Sequence, residues 1–521
     1  MAETLTLRQA APVRWAKVVD HTRCIGCHAC STACKSENQV PLGVFRTYVK
    51  YVDVGRFPQA RRAFQVTRCN QCEEPPCVFA CPTAAMAQRP DGIVDFDKRV
   101  CVGCKACMAA CPFDAIFIHP GDGSAEKCNF CAHRLDVGLE PACVVACPTE
   151  AIFVGDLNDG TSRVAEAVGR DVVAVRRPQK ETLPKLFYKG AHQATLDPIA
   201  ARRPPGGIFL WSEQGSLPSG VTSGHPVAPN YAMPSVLAYD VPRRAPWDFR
   251  VSLYAWTKGV AAGAWLVPAL LVLAGALAPS SPLWAWAAPV VAGVFLAATA
   301  ALLVADLDRP ERFYMVLTRP QWRSWLARGA VILFAYGAVL AVHFLAGWLD
   351  AGGGARRAAM DVAFLVGLPA AVLASAYTAW LFAQATGRDL WQSPLLLPQL
   401  LVQTVLGGSS ALVPVAAVVQ PEAVRALAGA AAAATLLHLL LVASEATKGP
   451  VTAHTRLAAL EMTRADGTAA SSGRALPCRR SGPPSFSSRP ARSGPSSSSP
   501  AFSLSSTPSC RRGSRCPSPE E

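Results

Sequence analysis

Sixteen of the nineteen cysteines in this protein of 521 residues fall into four groups of four, a pattern that can bind metal. The groups are Cys24, Cys27, Cys30 and Cys34; Cys69, Cys72, Cys77 and Cys81; Cys101, Cys104, Cys107 and Cys111; and Cys128, Cys131, Cys143 and Cys147. The third group has the spacing C-x2-C-x2-C-x3-C-P, which holds [4Fe–4S] clusters in ferredoxins. Four thiolates for each cluster predict four [4Fe–4S] clusters that carry single electrons.

Structural zinc and disulfide bonds are the two other common uses of closely spaced cysteines. Structural zinc takes its four ligands in two separated pairs, whereas three cysteines crowd together in each of the first three groups. We expect no export signal in residues 1–17, and cysteines in a reducing compartment bind metal more often than they pair. Iron–sulfur clusters are therefore favoured over zinc, and Cys478, Cys510 and Cys516 receive no role.

In two-cluster ferredoxins the fourth cysteine of each run ligates the neighbouring cluster, and this rule predicts how the groups share ligands. The adjacent second and third groups would exchange their last cysteines, and the outer two groups would exchange theirs across the domain. The predicted ligand sets are Cys69, Cys72, Cys77 and Cys111; Cys101, Cys104, Cys107 and Cys81; Cys24, Cys27, Cys30 and Cys147; and Cys128, Cys131, Cys143 and Cys34.

Cationic side chains lie beside several of these cysteines. Local charge is one of the factors that set cluster potentials, so cations near a cluster would raise its potential. An equally good explanation of these cationic side chains is that they form a basic surface exposed to solvent. The candidates are Arg23, Arg68, Lys105 and Lys127.

The composition changes from mixed to strongly apolar near residue 250. We predict an α+β domain of tandem bacterial-ferredoxin type over residues 1–190, a connector rich in Pro, Gly and Arg over residues 191–250, and an all-α transmembrane bundle over residues 251–447. A spanning helix needs about 20 mostly apolar residues. Six windows qualify: 252–277, 283–305, 329–349, 360–384, 395–419 and 425–446.

Loop charges predict the orientation of this bundle. Ten basic residues fall on the side of the N-terminal domain and three on the opposite side, so the positive-inside rule places that domain in the cytoplasm of a prokaryotic cell. The ten are Arg243, Arg244, Arg250, Arg309, Arg312, Arg319, Arg323, Arg328, Arg388 and Lys448, and the three are Arg356, Arg357 and Arg425.

Residues 448–521 form a tail rich in Ser, Pro and Arg, which predicts disorder because it cannot bury enough apolar surface to fold. The tail carries +7 of the total charge of +14. The basic balance therefore does not indicate nucleic acid as a partner, and contact with membrane lipid is the alternative. The abrupt change at Arg464 motivates the hypothesis that a shifted reading frame has replaced the original C-terminus.

The cysteine groups, with the sequence CNQCEEPPC at 69–77 and CNFCAHR at 128–134, resemble the iron–sulfur subunits of the dimethyl sulfoxide reductase family. The resemblance covers residues 15 to about 190. It implies four [4Fe–4S] clusters that exchange electrons with a molybdopterin-containing catalytic subunit. This chain has no molybdopterin module, dinucleotide fingerprint or nucleophilic triad of its own, so we predict no substrate-reducing site on it.

The membrane half is similar to the NrfD-type subunit of polysulfide reductase, which exchanges electrons with quinones. The similarity is carried by DLDRPERF at 306–313, RSW at 323–325 and DLWQSP at 389–394. It implies menaquinone or ubiquinone as the membrane substrate. Such subunits usually have eight or more helices, so a count of six supports the reading-frame hypothesis.

Ionisable groups inside membrane helices are rare and mark functional sites by default. The predicted quinone contacts are Tyr254, Lys258, Asp306, His343, His438 and Glu445. Each has a bland alternative: Lys258 can snorkel to the interface, Asp306 can pair with Arg309 or Arg312, and a buried histidine can bond a carbonyl.

The sequence thus predicts an electron-transfer component of a membrane oxidoreductase complex, between the quinone pool and a catalytic partner. One alternative is a proton-translocating membrane subunit with a path through Lys258, His343 and Glu445. A non-redox scaffold with structural clusters is the second alternative, although four clusters far exceed what folding one small domain requires.

Overall fold

The computed structural model describes residues 13–197, 201, 235–241, 243–348, 353–447, 452 and 455. The chain divides into two compact units, residues 1–464 and 465–521, and the second lies outside the described residues. The predicted tail, with Cys478, Cys510 and Cys516, therefore falls outside them except at Thr452 and Thr455. Residues 202–234 of the predicted connector also lie outside.

The N-terminal region contains eleven described strands. They are β1 (Trp15–Asp20), β2 (Thr47–Val54), β3 (Arg61–Arg68), β4 (Met86–Gln88), β5 (Val94–Phe96), β6 (Ile116–Ile118), β7 (Ala125–Lys127), β8 (Ile152–Asp156), β9 (Val173–Ala174), β10 (Leu186–Lys189) and β11 (Ser235–Tyr239). Seven short helices join them: α1 (Ala29–Glu37), α2 (Pro76–Ala80), α3 (Ala106–Ala110), α4 (Ala132–Leu135), α5 (Ala142–Val145), α6 (Arg163–Arg170) and α7 (Gln193–Leu196).

Small sheets enclose the cysteine loops of this α+β domain. One sheet has the order β8-β1-β10-β9, with β1 parallel to β10 and antiparallel to β8. The antiparallel hairpins β4-β5 and β6-β7 are two copies of one structural unit, as expected for a tandem ferredoxin-like arrangement. Because β1 precedes the first cysteine group, β8 follows the last and the two strands pair, the domain closes on itself.

The predicted connector is corrected at its C-terminal end. Strand β11, at residues 235–239, pairs antiparallel with β2 in a sheet of order β11-β2-β3. The connector predicted from the sequence included this strand, because its apolar segment is short and directly follows residues rich in Pro and Gly. Val236 and Leu237 are buried, so the segment is part of the domain's core.

The C-terminal region is a helical bundle. Its helices are α8 (Phe249–Leu273), α9 (Ala288–Ala305), α10 (Met315–Thr318), α11 (Trp325–Trp348), α12 (Gly353–Ala383), α13 (Leu396–Val419) and α14 (Val424–Thr447). A π-helical segment, Leu283–Ala287, precedes α9. In the described part of the protein six helices are long and apolar enough to cross a membrane, and each overlaps a predicted window. The prediction of six spanning helices is confirmed, and the chain is a multi-pass membrane protein.

Helix α8 is the centre of the bundle and packs on α9, α12 and α13. A Cβ atom on Gly263 would overlap the carbonyl oxygen of Thr404, so α8 and α13 meet backbone to backbone. Such close approach through small residues is typical of membrane helices. Helix α14 differs, because it packs mainly on α13 and leaves most of its apolar side chains exposed.

Candidate metal centres and membrane cavity

Two cavities in the N-terminal domain are each lined by four cysteines. One contains Cys24, Cys27, Cys30 and Cys147, and the other contains Cys81, Cys101, Cys104 and Cys107. In both cases three ligands come from one sequence group and the fourth from another group. The structure therefore brings together cysteines that the exchange rule pairs.

The remaining cysteines form two further sets. Their members lie close enough together to affect one another's pKa. Burial is the main reason that the pKa of Cys34 rises to about 12, and the nearby thiols of Cys128, Cys143 and Cys131 raise it further. Burial likewise raises the pKa of Cys77 well above its usual range, with contributions from Cys69, Cys111 and Cys72. All sixteen grouped cysteines are free thiols.

The cysteine loops owe their shape to residues in the left-handed backbone region. In the first loop Gly26 has φ +72° and His28 has φ 61°, and in the third loop Gly103 has φ +68° and Lys105 has φ 62°. Alternation of this kind turns successive backbone N–H groups toward one concave side, where they can bind an anion. Gly26 is also required sterically, because a Cβ there would lie 2.4 Å from the ring of Phe64.

Backbone N–H groups of the described residues point at several of the cysteine sulfurs. Ala125 donates to Cys101 at 3.4 Å and Met86 donates to Cys81 at 3.4 Å. Ala151 donates to Cys147 at 3.2 Å, and Gln71 donates to Cys69 at 3.5 Å. Hydrogen bonds to the sulfurs are among the features that tune an iron–sulfur cluster, so the donor environment suits such a group.

Two cations lie directly against Cys143. The guanidinium of Arg68 donates to its sulfur at 2.9 Å, and the ammonium of Lys17 lies 3.7 Å away. Burial opposes ionisation of this thiol, but the two cations outweigh it and lower its pKa to about 7. The other nitrogens of Arg68, Nε and Nη2, are buried without a described partner.

The thiols are not packed closely enough for a single ion. Among the described residues no three His, Cys, Asp or Glu side chains converge on the space of one metal ion. The four-cysteine sets instead surround cavities or spread around a buried centre, which fits a cluster of several atoms.

The membrane half docks on the second and third cysteine loops through their backbone carbonyls. Gly387 lies so close that a Cβ there would stand 2.6 Å from the carbonyl oxygen of Cys111. These contacts fix the iron–sulfur domain directly on one end of the bundle. The donors are Trp247 to Cys104, Gln321 to Val78, Ser324 to Ala80, Thr386 to Ala110, and Arg312 to Lys98 and Arg99.

Lys105 is the one cluster-loop cation that reaches into this junction in the described part of the protein. Its buried ammonium donates to the carbonyl oxygen of Asp306 at 2.6 Å and to the Asp306 carboxylate at 3.2 Å, and it lies 4.0 Å from Asp308. Burial raises the pKa of Asp306, whereas Lys105 opposes that rise. The lysine charge next to Cys104 is therefore largely balanced.

An apolar cavity of about 820 Å³ lies under this junction, among α8, α9, α11 and α12. Its upper end contains Cys104, Trp247 and Asp306, and its wall contains Tyr254 and Tyr377. Several of its apolar residues, among them Val294 and Phe334, are exposed on the outer surface of the bundle. The cavity thus connects the lipid-facing surface with a cysteine of the third loop.

Comparison with known proteins supports both halves of this description. Residues 61–157 match the family model of a 4Fe-4S dicluster domain, and residues 239–458 match that of polysulphide reductase, NrfD.

Among curated proteins, the sequence is 43% identical over 204 residues to one subunit of tetrathionate reductase from Salmonella typhimurium, covering 38% of this chain and 80% of that protein. It is 40% identical over 177 residues to one chain of polysulfide reductase from Wolinella succinogenes, covering 33% and 93%. It is also 40% identical over 190 residues to protein NrfC of Escherichia coli, covering 36% and 84%.

The protein belongs to this family of reductase iron–sulfur subunits. Here such a subunit is fused to an NrfD-type membrane domain, as its sequence predicted. The protein contains iron–sulfur clusters and is an electron-transfer component of a membrane-bound oxidoreductase complex.

The NrfD-type bundle separates the six predicted quinone contacts. Tyr254 and Asp306 line the cavity, and Lys258 lies buried behind its wall. His343 does not line it, because Trp265 donates to its Nδ1 and its Nε2 lies 3.0 Å from the carbonyl oxygen of Trp284. His343 therefore makes the carbonyl contact that was the alternative to a quinone contact.

His438 and Glu445 also lie away from the cavity, on the exposed helix α14. Glu445 accepts from Gln399 of α13, and Nδ1 of His438 is buried without a described partner. The structure also does not bring together the three residues of the alternative proton path. Lys258 is in α8, His343 is near the far end of α11, and Glu445 is at the iron–sulfur end of α14.

Several residues at these sites of the reductase subunit were not predicted from the sequence. Lys17 contacts Cys143 from 126 residues away, Trp247 bonds Cys104, and Tyr377 lines the cavity. A lysine within the apolar strand β1 was the only signal for Lys17. Of the predicted cations, Arg68 bonds a sulfur, Lys127 reaches Cys69, and Arg23 pairs with Glu150 at 3.8 Å.

Proposed function

We propose that this subunit carries electrons between the quinone pool and a molybdopterin-containing catalytic subunit through four [4Fe–4S] clusters. The observation that carries the proposal is the apolar cavity, because it opens toward lipid and ends at Cys104. A quinone there would lie beside the loop that holds the nearest cluster. When bound, each cluster supplies one-electron redox chemistry.

The proposed ligand sets form a linear series. Starting at the membrane, Cys104 groups with Cys81, Cys101 and Cys107, and Cys107 interacts with Cys77 of the next set. Cys69 of that set interacts with Cys128 of the third set. Cys143 of the third set interacts with Cys30 of the last set. Each step joins neighbouring sets, as a relay of single electrons requires.

The quinone end of the relay has two candidate polar contacts. Tyr254 is on the cavity wall and Asp306 is at the end that faces the iron–sulfur domain. The two quinone oxygens need protons as well as electrons, and a phenol and a carboxyl group can both exchange them. The apolar remainder of the cavity suits the ring and isoprenoid tail of a quinone.

The opposite end of the relay reaches the protein surface. Cys27 of the last set is exposed, and Cys24 and Cys147 are partly exposed. Ile25 and Val145 beside them are also exposed apolar side chains. We place the catalytic partner on this surface, because exposed apolar residues around a cluster favour protein docking.

We place the iron–sulfur domain in the cytoplasm on the strength of the loop charges. Arg309 and Arg312 also contact this domain, so the charges serve docking as well as orientation. A cysteine introduced at the exposed residue Phe57 tests the placement. A membrane-impermeant maleimide should label it in inverted vesicles and leave it unlabelled in intact cells; the reverse pattern contradicts the placement.

The central test uses the full-length protein, purified without oxygen in lipid nanodiscs. Four clusters require about 16 iron atoms per polypeptide. Quinol should reduce the clusters in stopped-flow measurements. Ala297→Trp, which fills the cavity, should abolish this reaction, whereas Leu437→Trp on the exposed surface of α14 should leave it intact. Equal rates in both variants would overturn the quinone site.

A further inference from the structure

Lys258 is an ionisable side chain in the interior of the membrane bundle. It lies one helical turn after Tyr254 on α8 and is 1% exposed. An ammonium group that is removed from water is costly unless it is paired, so such residues in membrane proteins mark functional positions. Its ammonium is bonded inside the bundle and does not extend to the surface as a snorkelling lysine would.

The lysine is held by hydroxyl and carbonyl groups rather than by an acid. Its ammonium donates to the carbonyl oxygen of Ser375 at 2.8 Å and to the hydroxyl of Thr378, and it faces the ring of Tyr377 at 4.6 Å. Within the described ranges no carboxylate forms an ion pair with it. Its protonation state is therefore not fixed by a permanent counter-ion.

Thr378 connects this lysine to the cavity. Its hydroxyl accepts from the Lys258 ammonium, and it interacts with Tyr254 and Tyr377, two residues that line the cavity. Lys258 and Thr378 therefore lie beside two phenols of the cavity wall, and all four side chains carry exchangeable protons.

The elements packed on this part of α8 contribute few other polar groups. Helix α12 supplies Tyr377 and Ser375, and α13 supplies Thr404, which bonds Ser375. Helix α9 supplies Thr299, which donates to Thr257 at 2.9 Å, and Asp306 follows the end of α9. Lys258, the two tyrosines and Asp306 are thus the titratable groups in the described surroundings of the relay.

We infer that Lys258 stores a proton for one oxygen of the bound quinone and exchanges it through Thr378 and Tyr254. The inference rests on the proposed function, since it assigns a role at the same cavity. Lys258 does not touch the quinone and is a positioning and relay residue.

Quinone reduction at the cavity consumes two electrons and two protons. A cluster held by Cys81, Cys101, Cys104 and Cys107 would supply or accept these electrons one at a time. An O–H bond forms as Tyr254 gives its proton to the nearer quinone oxygen, Tyr254 regains one from Thr378, and Thr378 regains one from the Lys258 ammonium, which becomes an amine. The other oxygen takes its proton at the Asp306 end of the cavity. After the quinol leaves, the amine regains a proton through the same hydroxyls from water that enters the emptied cavity, and quinol oxidation runs in reverse.

Matched variants at Thr378 test this relay without removing the lysine. Thr378→Val deletes the bridging hydroxyl at nearly constant shape, and Thr378→Ser restores it. Thr404→Val is the control, because it deletes a buried hydroxyl that bonds Ser375 but not Lys258. The full-length protein in nanodiscs is mixed with a short-chain quinol, and cluster reduction is followed across pH in H₂O and D₂O. Reduction by dithionite is measured in parallel.

We expect Lys258→Met to slow quinol-driven reduction about 100-fold and Thr378→Val about tenfold, within the range of general acid–base catalysis. Both should lose the pH dependence and the solvent isotope effect of the wild type, and Thr378→Ser should retain them. Dithionite reduction should be unchanged throughout.

A Thr378→Val variant with the wild-type pH profile and isotope effect would overturn the relay. Equal losses in Thr378→Val and Thr404→Val would also overturn it, since they would indicate a packing role. If quinol fails to reduce the wild-type clusters, the proposed function itself fails and the relay fails with it.

Discussion

The cluster site beside the membrane and the site around Cys143 differ in how their charges are balanced. At the membrane site, Lys105 is neutralised by Asp306 and Asp308, and the sulfurs of Cys81 and Cys101 receive backbone N–H groups. Around Cys143, two buried cations face sulfur directly: Arg68 at 2.9 Å and Lys17 at 3.7 Å.

This difference in charge shows how one domain can give similar clusters different reduction potentials. Uncompensated cations stabilise the reduced, more negative form of a cluster, whereas a balanced ion pair has little net effect. We therefore expect the cluster at Cys143 to have the higher potential of the two. Electrons from the membrane site would then move toward it spontaneously.

Removing one ligand from each site should produce the largest effect and separate their roles. Cys104→Ser should abolish quinol-driven reduction of all other clusters, because the entry point is lost. Cys143→Ser should still allow quinol to reduce the cluster at Cys104 but should block transfer to the exposed end. Either variant should lose about 4 iron atoms per polypeptide. Iron analysis and freeze-quench electron paramagnetic resonance check these outcomes.

The cations at Cys143 should account for much of the difference in potential. Arg68→Met removes a charge-assisted hydrogen bond and should lower that cluster's potential by about 100 mV. Lys17→Met should act in the same direction but less, because its contact is longer. Redox titration monitored by electron paramagnetic resonance measures the shifts. A shift at the membrane site instead would contradict the assignment.

Breaking the ion pair at the membrane site should give smaller shifts of opposite sign. Lys105→Met should lower the potential of that cluster, and Asp306→Asn should raise it, each by about 30–60 mV. The double variant should return close to the wild-type value, since both charges are absent. Single variants that shift the potential in the same direction would show that the pair does not act by charge balance.

The smallest expected effect is a dependence on pH. Burial raises the pKa of Asp306, so this carboxylate takes up a proton at a higher pH than an exposed aspartate does. Protonation of Asp306 leaves Asp308 as the more distant partner of Lys105, so less of the lysine charge is compensated, and the potential at the membrane site should rise as the pH falls through that pKa. The slope should stay below about 59 mV per pH unit and should vanish in Asp306→Asn. The site at Cys143 serves as the internal control and should not follow this curve.

Local patterns in the sequence were sufficient for much of the fold. The cysteine spacing indicated iron–sulfur chemistry because ligands three residues apart share one loop, and that loop has few workable shapes. Six spanning helices followed from apolar length alone, since a membrane helix must satisfy its own backbone hydrogen bonds. Strand β11 was missed, because its pairing partner β2 lies far earlier in the sequence and leaves no local pattern.

The sequence by itself determined which residues are able to bind clusters and which segments cross the membrane. Only the tertiary structure decided which charges meet them: Lys17 reaches Cys143 across 126 residues, and Lys105 meets Asp306 across 201. It also selected Tyr254 and Asp306 over His343, His438 and Glu445 as cavity residues. The physical reason is the distance along the sequence over which each property is determined. Ligand spacing and helix length are short-range properties of the polypeptide, whereas burial and charge pairing depend on surfaces that come together only on folding.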